Sequence, residues 1–475
     1  MLEFVVDSIN YFFMIYIVIY AIIFFISTIS SIIELEKNRV YRKYEYTFGL
    51  KSEENSIPIS ILVPAYNESQ TIIDCIESNI YLDYPEFEII VINDGSTDEM
   101  GELVRQHFKL KEINRPIKRV VPCQKEISIY EGKIREGINL ILINKVNGGK
   151  ADALNMGINV AKYPLIVCLD ADSVLQYDSL SEIIVSFMKD SRTIAVGGNV
   201  KVSNQVVLDK GRVIEYLSPK KFIVMMQLIE YYRVFLNTRV WFNQFNGNLI
   251  ISGAFGLFRK DAVIAVGGYD TNSVGEDMDL VLRLHSFYRK NQLPYRIGYE
   301  PRAICWSQVP SSLKDIKNQR RRWQIGLMTS LFNHRYMAFN FHYGFIGLFS
   351  YSYFIVYEML SCLVDIFGLI FIMISYFTGF LNFSFFITFM LIYIIYNMVI
   401  SIVAIKCEEF MFQGSLSFCD KMKLILFSII ENFGYHQLLS FYRLSAFIGY
   451  RQQKHQWKKI NRVQHNKLKP QIYKT

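Results

Sequence analysis

Two long stretches without a charged side chain restrict what this chain can fold into. No Asp, Glu, Lys or Arg occurs between Asp7 and Glu34, and none occurs between Asp365 and Lys406. Each stretch reaches or exceeds the roughly 20 apolar residues that a helix needs to cross a bilayer. Disorder is excluded, because 51% of the 475 residues are hydrophobic. The sequence therefore predicts a membrane protein with a large part that faces water.

The formal net charge is +8, and its distribution points to a membrane surface. From residue 451 to the end there is no acidic residue, while the basic residues are Arg451, Lys454, Lys458, Lys459, Arg462, Lys467, Lys469 and Lys474. A basic tail can bind nucleic acid. A cytoplasmic segment beside anionic lipid explains the tail more simply. We therefore expect contact with the lipid bilayer and no nucleic-acid partner.

The charges beside the first apolar stretch predict its orientation. Glu3 and Asp7 precede the stretch, and the residues that follow it include Lys37, Arg39, Arg42 and Lys43. The positive-inside rule then places the amino terminus outside and the next part of the chain in the cytoplasm.

The number of crossings near the carboxyl end stays open at this point. Residues 383–405 form one span, and residues 336–380 form one long span or two short ones broken near Glu358 and Asp365. Residues 422–447 contain polar side chains, so they cross, line a channel or lie at the interface. A cytoplasmic tail requires an even number of crossings in this region, so two or four both fit.

Residues from about 56 to 335 mix charged and apolar side chains, and short apolar runs there predict strands. The runs are rich in β-branched residues and comprise Ile57–Val63, Phe87–Ile92, Leu140–Ile143, Leu165–Leu169 and Thr193–Val196. Helical stretches such as Asp98–Phe108 and Lys150–Ala161 lie between most of them. This alternation predicts an α/β domain with a mainly parallel sheet that is covered on both faces.

Acidic residues follow two of these runs. Asp94 ends the second run in the segment VINDGSTD, and Asp170 and Asp172 follow the fourth run in CLDADS. Taken alone, DGS is typical of an ordinary turn, and many surface turns contain D-x-D. Ligands of such sheets, however, bind at the carboxyl ends of strands. Two carboxylates directly after a buried strand favour a divalent cation that bridges a diphosphate.

Two glycine-containing segments each have a structural and a functional interpretation. The segment NGGKADALN, residues 147–155, places two glycines before a helix that begins near Lys150. In the functional interpretation, the free amides at this helix start bind an anionic or polar ligand. In the structural interpretation, the segment is only the cap of the helix. The segment GYDTNSVGEDMDL, residues 268–280, supplies Glu276 and Asp277 to the first turn of a helix. These acids complement the helix dipole and cannot by themselves nominate a catalytic base.

The segment NQRRRWQIG, residues 318–326, lies just before the second hydrophobic zone. Its arginines and Trp323 could belong to an interfacial helix that faces lipid headgroups. Gln319, Arg322 and Trp323 could instead hold a diphosphate and stack on a sugar ring.

Taken together and in this order, these motifs resemble the processive family 2 glycosyltransferases. That group contains the synthases of poly-N-acetylglucosamine, hyaluronan, chitin oligosaccharides and cellulose. The resemblance covers about residues 56–335 and rests on VPAYNES (Val63–Ser69), NDGSTD, GGKADALN, DADS, SGAFGLFRKDAV (Ser252–Val263), GED and Q-x-x-R-W. It implies a GT-A type, Rossmann-like α/β domain inserted between transmembrane helices.

The resemblance also implies a role for each matching residue on the donor side. The uridine and ribose of a UDP-sugar would be lined by Ala65, Tyr66, Glu68, Asp94 and Lys150. Asp170 would contact the nucleotide, and Asp172 beside it would ligate Mg²⁺ or Mn²⁺ on the diphosphate. Gln319 and Arg322 would hold the diphosphate itself.

On the acceptor side, the resemblance makes Asp277 the general base that deprotonates the attacking hydroxyl. The acceptor sugar would contact Trp323, Glu276, Asn248 and the Ser252–Phe255 segment, which begins with Ser252. A single displacement at the anomeric carbon needs a base and charge compensation for the leaving UDP. The expected product is a β-linkage formed by inversion of an α-linked donor.

Five parts follow from this architecture. They are an N-terminal transmembrane helix (1–40), a cytoplasmic GT-A domain (41–310), an interfacial amphipathic helix with Q-x-x-R-W (311–340), a C-terminal transmembrane region (341–450) and a basic cytoplasmic tail (451–475). The chain is thus expected to be a multi-pass protein of the cell membrane.

Cellulose synthases resemble this chain but typically read T-E-D where it has Gly275, Glu276 and Asp277. The bacterial ones usually carry a further domain after the membrane region, for which about 25 residues are too few. We therefore expect a polymer containing N-acetylglucosamine, made from UDP-N-acetylglucosamine onto a growing polysaccharide acceptor and exported, with export or modification subunits as further partners. The alternative is a single addition to a lipid or short acceptor. A catalytically silent subunit is disfavoured, since every catalytic acid is present.

Overall fold

The computed structural model of the chain describes residues 2–47, 56–135, 137–204, 206–216, 219–412 and 417–448. The basic tail, predicted over residues 451–475, lies outside the described residues. The helices are α1 (Leu2–Thr47), α2 (Ile72–Ile80), α3 (Met100–His107), α4 (Lys150–Val160), α5 (Ser179–Ile183), α6 (Val185–Lys189), α7 (Phe222–Arg233), α8 (Arg239–Gln244), α9 (Lys260–Ala265), α10 (Glu276–Lys290), α11 (Leu313–Asn333), α12 (Tyr351–Tyr353), α13 (Ser361–Phe377), α14 (Phe383–Phe412), α15 (Phe418–Ile430) and α16 (His436–Leu444).

The strands are β1 (Ile59–Ala65), β2 (Phe87–Asn93), β3 (Lys111–Glu112), β4 (Glu126–Arg135), β5 (Ile138–Lys145), β6 (Leu165–Leu169), β7 (Ser173–Leu175), β8 (Thr193–Val202), β9 (Val206–Asp209), β10 (Arg212–Tyr216), β11 (Phe255–Arg259) and β12 (Arg296–Ser307). Within the described ranges, ten strands form one sheet in the order β3-β4-β5-β2-β1-β6-β11-β8-β12-β7. Strands β9 and β10 form a separate antiparallel pair. All five strands predicted from the sequence are present.

The prediction of a mainly parallel sheet is wrong, because the sheet is mixed. The parallel pairs are β5–β2, β2–β1, β1–β6 and β8–β12. The antiparallel pairs are β3–β4, β4–β5, β6–β11, β11–β8 and β12–β7. A helix between two strands predicts a parallel neighbour only if the strands are adjacent, and β11 separates β6 from β8. Strands β4 and β5 form a hairpin, which needs no helical crossover.

Both faces of the sheet are covered, as the apolar strands predict. Along β1, Ile59, Ile61 and Val63 pack into one core together with Ile72 and Ile76 of α2. The alternate residue Leu62 packs into a second core that includes most of α4. Strand side chains alternate between faces, so a strand that is apolar at every position requires a layer on each side. This arrangement holds the carboxyl ends of the central strands rigidly in place.

Two described helices are long and apolar enough to cross a membrane. The qualifying segments are Phe4–Val40 and Phe386–Phe412. A third candidate is the pair Ile346–Met359 and Ser361–Phe377, whose two halves are bent by 43°. The break lies at Leu360, near Glu358 and Asp365, where the sequence predicts that two short spans would be separated. Of the alternatives for residues 336–380, the structure has one bent pair.

The sheet is joined to helix α14 by a buried ion pair. The Lys201 Nζ of β8 lies 2.7 Å from the Glu408 Oε1 near the end of α14, and both side chains are buried. The ammonium also lies 3.1 Å from the centre of the Phe412 ring. Breaking a buried pair from one side leaves an uncompensated charge, whereas removing both charges together costs much less.

We predict that Glu408→Gln lowers the free energy of unfolding by about 3–5 kcal/mol, since Lys201 would stay buried without a counter-charge. The double variant Lys201→Met, Glu408→Leu should recover most of this loss. Denaturant titration in detergent micelles measures both. The control is Glu409→Gln on the next residue, because Glu409 pairs with Lys406 and Lys421 at a more exposed position. Equal stabilities for the 408 and 409 variants would contradict the prediction.

Candidate active site

The carboxyl ends of three neighbouring strands meet at one edge of the sheet. Ala65 is the last residue of β1, Asp94 follows β2, and Asp170 follows β6. Strand β1 pairs in parallel with both β2 and β6. The Asp94 amide also donates to the Ala65 carbonyl at 3.0 Å. Three of the predicted donor-site residues therefore lie side by side.

Asn67 ties the loop after β1 to the loop after β2. Its amide donates to Ser96 Oγ at 3.0 Å, and its side-chain oxygen accepts from the amides of Thr97 and Asp98 at 2.7 and 3.2 Å. Asn67 has φ of +57°, a left-handed conformation that asparagine tolerates better than most residues. The two loops thus form one surface.

Tyr66 and Glu68 are the residues on either side of Asn67. The Tyr66 side chain is exposed, so its ring is available at the edge of the sheet. Glu68 accepts a hydrogen bond from Thr71 Oγ1 at 2.8 Å through one carboxylate oxygen, and its carbonyl accepts from the Thr71 and Ile72 amides at the start of α2. Glu68 therefore also shapes the turn into α2.

Behind this surface lies a buried lysine between two carboxylates. The Lys145 side chain is fully buried, and its Nζ lies 2.5 Å from Asp94 Oδ1 and 2.6 Å from Asp152 Oδ1. The same Asp94 carboxylate accepts hydrogen bonds from the amides of Gly148 and Gly149 at 3.0 and 2.7 Å. Asp94 thereby fixes the glycine loop that precedes α4, and Lys145 neutralises its charge.

Lys150, the first residue of α4, connects the two halves of the site. Its Nζ lies 2.5 Å from Asp170 Oδ1, 3.4 Å from Glu276 Oε1 and 3.3 Å from the Gly253 carbonyl oxygen. Burial opposes the charge on Lys150, but Asp170, Glu276 and Asp277 outweigh it and raise its pKa. Lys150 is therefore a permanent cation in a cluster of carboxylates.

Glu276 and Asp277 begin helix α10, and Asp277 is oriented by two backbone amides. Gly253 N donates to Asp277 Oδ2 at 3.2 Å, and Met278 N donates to Oδ1 at 2.8 Å. Burial raises the pKa of Glu276, and the Lys150 cation partly offsets this shift. A Cβ at Gly253 would lie 2.9 Å from Lys150 Nζ. The glycine thus allows Lys150 and Asp277 to approach the same short segment.

Asp170 and Asp172 fit a hard divalent cation that is completed by ligands from outside the protein. Asp172 is buried and accepts from Ser173 Oγ at 3.3 Å, while Asp170 is partly exposed. Among the described residues, no group of three or more His, Cys, Asp or Glu side chains could hold a metal. Mg²⁺ commonly uses one or two carboxylates together with substrate phosphates and water. A carboxylate pair is the donor set that such a metal requires.

The Q-x-x-R-W residues lie on helix α11, which confirms the helical prediction for this segment. Gln319, Arg322 and Trp323 are three and four positions apart, so they share one side of the helix. The Gln319 side-chain oxygen is buried and has no hydrogen-bond partner among the described residues. Arg322 is close enough to lower the pKa of Glu276, although burial and other groups dominate that pKa. Helix α11 therefore faces the same cluster of charges.

Trp323 is stacked from one side. The Arg320 guanidinium lies 4.7 Å from the centre of the Trp323 ring, and Arg320 Nη2 donates to Glu230 Oε2 at 2.7 Å. The indole is still 42% exposed. An aromatic ring that is held from one side and exposed elsewhere suits stacking on a sugar.

The predicted acceptor residues differ in their surroundings. Asn248 is buried, its side-chain amide donates to the Arg239 carbonyl at 3.2 Å, and its own carbonyl lies 2.9 Å from His285 Nε2. Ser252 is half-buried and lies next to Gly253. Ser252 thus adjoins Asp277 through its neighbour, whereas the Asn248 side chain contacts protein backbone.

No role was assigned from the sequence to three residues that hold the site in place, namely Asn67, Lys145 and Asp152. Lys145 could have been noticed in the sequence, because it is the charged residue that ends the apolar run of β5. Asp152 carried no such signal, because an acid in the first turn of a helix is common. Its pairing with Lys145 depends on how α4 packs against the sheet.

Two sequence families match the chain over the region just described. Residues 60–267 match the family "Glycosyl transferase family 2". Residues 165–401 match "Glycosyl transferase family group 2". Together the matches extend from the first strand of the sheet into the apolar helices.

Similar curated proteins are bacterial synthases. A poly-beta-1,6-N-acetyl-D-glucosamine synthase of Staphylococcus epidermidis is 36% identical over 279 residues, which are 58% of this chain and 56% of that protein. The protein of the same description from Staphylococcus aureus (strain COL) is 34% identical over 290 residues, 60% of this chain and 59% of the relative. The matched region thus spans little more than half the length of these relatives.

Among solved structures, a mannosyltransferase from Pyrobaculum calidifontis in complex with GDP-Man and Mn²⁺ has a similar fold. The TM-score is 0.50 at 16% sequence identity, and the match covers 90% of this chain and 100% of the other. At this identity the similarity concerns the fold alone.

We predict that Lys145→Met destabilises the protein by about 3–5 kcal/mol, because two buried carboxylates would lose their counter-charge. Amide hydrogen exchange at Gly148 and Gly149 should accelerate, since their acceptor Asp94 would be displaced. Adding Asp152→Asn should recover part of the stability, because one of the two negative charges is then removed.

The matched control for this prediction is Lys125→Met, at an exposed position in the loop before β4. It should leave stability and exchange in the glycine loop unchanged. If Lys145→Met behaved like this control, the buried lysine would not organise the loop.

Proposed function

The chain belongs to glycosyltransferase family 2, and on this premise we propose that it is an inverting, processive membrane β-glycosyltransferase. It polymerises sugar from a UDP-sugar donor into an exopolysaccharide and moves the product across the membrane. UDP-N-acetylglucosamine is the proposed donor, since the similar synthases are named for poly-beta-1,6-N-acetyl-D-glucosamine.

One observation carries the catalytic part of this proposal, namely the position of Lys150. Its ammonium contacts Asp170 on the predicted donor side and Glu276 on the predicted acceptor side. Groups that bind a leaving diphosphate and a group that deprotonates a nucleophile must lie within one small volume for a single displacement. A lysine shared by both sides supports that arrangement.

In the proposed reaction Asp277 takes the proton of the acceptor hydroxyl as that oxygen attacks the anomeric carbon. The two amide hydrogen bonds from Gly253 and Met278 fix the direction of its carboxylate oxygens. The bond between the anomeric carbon and the UDP oxygen breaks on the opposite side. This single displacement inverts the configuration and requires no covalent nucleophile.

The leaving diphosphate carries negative charge that the site can balance. Lys150 and Arg322 are the proposed cations for it, and the Gln319 amide offers a further polar contact. Asp170 and Asp172 would hold Mg²⁺ or Mn²⁺, which when bound supplies additional positive charge to the diphosphate. Trp323 would stack on the acceptor sugar, supported from behind by Arg320.

We place the catalytic domain in the cytoplasm, within the five parts predicted from the sequence. Helix α1 would be the first crossing, and α14 with the bent pair would supply two more after the domain. Two crossings return the chain to the cytoplasmic side, where a basic tail meets anionic lipid. The polymer would leave through this helical region, with export or modification subunits as additional partners.

We predict UDP release from purified protein in detergent with Mg²⁺ and UDP-N-acetylglucosamine, and little with UDP-glucose or UDP-glucuronate. Asp277→Asn should lower turnover by about 10²- to 10⁴-fold, the usual contribution of a general base. Product length on a gel or by mass spectrometry completes the measurement. Asp270→Asn is the control, since Asp270 lies in the preceding loop, where its carboxylate accepts from the Asn272 amide.

The products separate the candidate functions. Long chains from one donor, lost in Asp277→Asn, support a polymerase. Products that are only one sugar longer than the acceptor would contradict a polymerase. They would instead support a single-addition transferase that acts on a lipid or short acceptor. Absence of UDP release with every donor would contradict the proposal.

We predict that chelation by EDTA abolishes UDP release and that Mg²⁺ or Mn²⁺ restores it. Asp172→Asn keeps the shape of the side chain but removes its charge, so the half-saturating metal concentration should rise by at least about tenfold. Asp190→Asn is the control, because Asp190 pairs with Arg192 at the surface. Full activity in EDTA would exclude the metal from the proposed reaction.

A further inference from the structure

Gly275 directly precedes helix α10, which begins with Glu276 and Asp277, and its main chain lies directly against the main chain of Gly326 in helix α11. A Cβ built on Gly275 would lie 3.0 Å from the Cα, the carbonyl carbon and the oxygen of Gly326. In the reverse direction, a Cβ on Gly326 would lie 3.1 Å from Gly275 Cα and 3.3 Å from its nitrogen. These neighbours are main-chain atoms, so they cannot rotate away as a side chain could. Even a methyl group at either position would force the two helices apart.

Neither glycine is required by its own backbone conformation. Gly275 has φ of −108° and ψ of 61°, outside the left-handed region that favours glycine. Gly326 lies inside α11, where glycine costs about 1 kcal/mol relative to alanine. A glycine inside a helix usually has a packing reason, and the close contact with Gly275 is that reason.

Polar contacts join the same two helices at this point and one turn beyond it. Ser330 Oγ of α11 donates to the Gly275 carbonyl at 3.3 Å. One turn further along α10, Asp279 Oδ1 lies 2.9 Å from Nε2 of His334, which directly follows α11. The second Asp279 oxygen accepts from Arg283 Nε at 2.7 Å. All these groups are buried or half-buried, so the contact is fixed along its length.

Apolar packing completes the contact. Met278 and Leu282 of α10 and Met328 and Leu331 of α11 belong to one buried core. The glycine contact, the hydrogen bonds and this core therefore act on the same pair of helices. The first turn of α10 carries the proposed base, and α11 carries the proposed diphosphate ligands Gln319 and Arg322.

We propose that Gly275 and Gly326 are positioning residues, which fix the distance between the base Asp277 and the diphosphate-binding face of α11. This inference rests on the proposed function, because it assigns a role to the spacing of its two catalytic parts. A side chain at either glycine moves Asp277 away from the reacting hydroxyl without touching the donor. Turnover then falls while affinity for the donor is kept.

The test is Gly326→Ala in the full chain in detergent, with UDP release as the assay. We expect kcat to fall by about tenfold, since the two main chains must separate by a few tenths of an ångström and a displacement of about 1 Å can cost about 100-fold in rate. The KM of the donor and the dissociation constant of UDP should stay at their wild-type values. Gly275→Ala should give the same result, and the double variant should be little worse than either single one, because both substitutions open one contact.

Gly298→Ala on β12 is the matched control. Its Cβ would meet the Val196 side chain at 3.4 Å, an ordinary van der Waals distance, so its kcat should equal that of the wild type. If Gly326→Ala does not fold, Ser330→Ala removes only the hydrogen bond to Gly275. It should lower kcat by a smaller factor, again without a change in KM.

Two results would overturn the inference. The first is a folded Gly326→Ala protein with wild-type kcat, which would mean that the spacing is not set by this contact. The second is a loss confined to UDP affinity and KM, which would assign the contact to donor binding.

Failure of the proposed function is recognised separately, since wild-type protein would then release no UDP with any donor. In that case amide hydrogen exchange of residues 275–290 tests whether the contact between Gly275 and Gly326 holds helix α10 in place. Faster exchange in Gly326→Ala than in Gly298→Ala would support the positioning role, and equal exchange would refute it.

Discussion

The charge of Lys150 is the interaction on which the candidate site depends. It sits among Asp170, Glu276 and Asp277, and without it three carboxylates would repel one another in a partly buried space. The lysine begins a helix whose preceding glycines are held by Asp94. The strands after which Asp94 and Asp170 lie are rigid, because both faces of the sheet are covered. The position of one ammonium group therefore follows from the packing of the whole α/β region.

Two further buried lysines are paired with carboxylates, one next to the candidate site and one at the contact between the sheet and helix α14. Lys145 is buried between Asp94 and Asp152, and Lys201 is buried against Glu408. Such pairs contribute little net stability compared with apolar packing, but they are costly to break from one side. They therefore select one arrangement of the parts they join. In this chain the first pair sets the glycine loop, and the second joins the sheet to an apolar helix.

Much of the site could be predicted from the sequence, because the motifs lie directly after apolar runs. The strand ends before Asp94 and Asp170, the helix start at Lys150 and the helical Q-x-x-R-W segment all occur as the sequence indicates. The direction of several strands could not be predicted, since apolar periodicity is the same for parallel and antiparallel neighbours. Asp152 and Gly326 were also missed, because each acts on a residue that is remote in sequence.

The sequence by itself determined that apolar helices flank a charged α/β region and which acidic and basic residues follow its strands. These properties depend on local patterns, namely charge-free length, strand period and the residues at strand ends. Only the tertiary structure decided which of these residues meet. It placed β11 between β6 and β8, enclosed Lys145 between two acids and brought Gly275 against Gly326. Contacts of this kind depend on the packing of distant segments, and no local pattern along the chain encodes them.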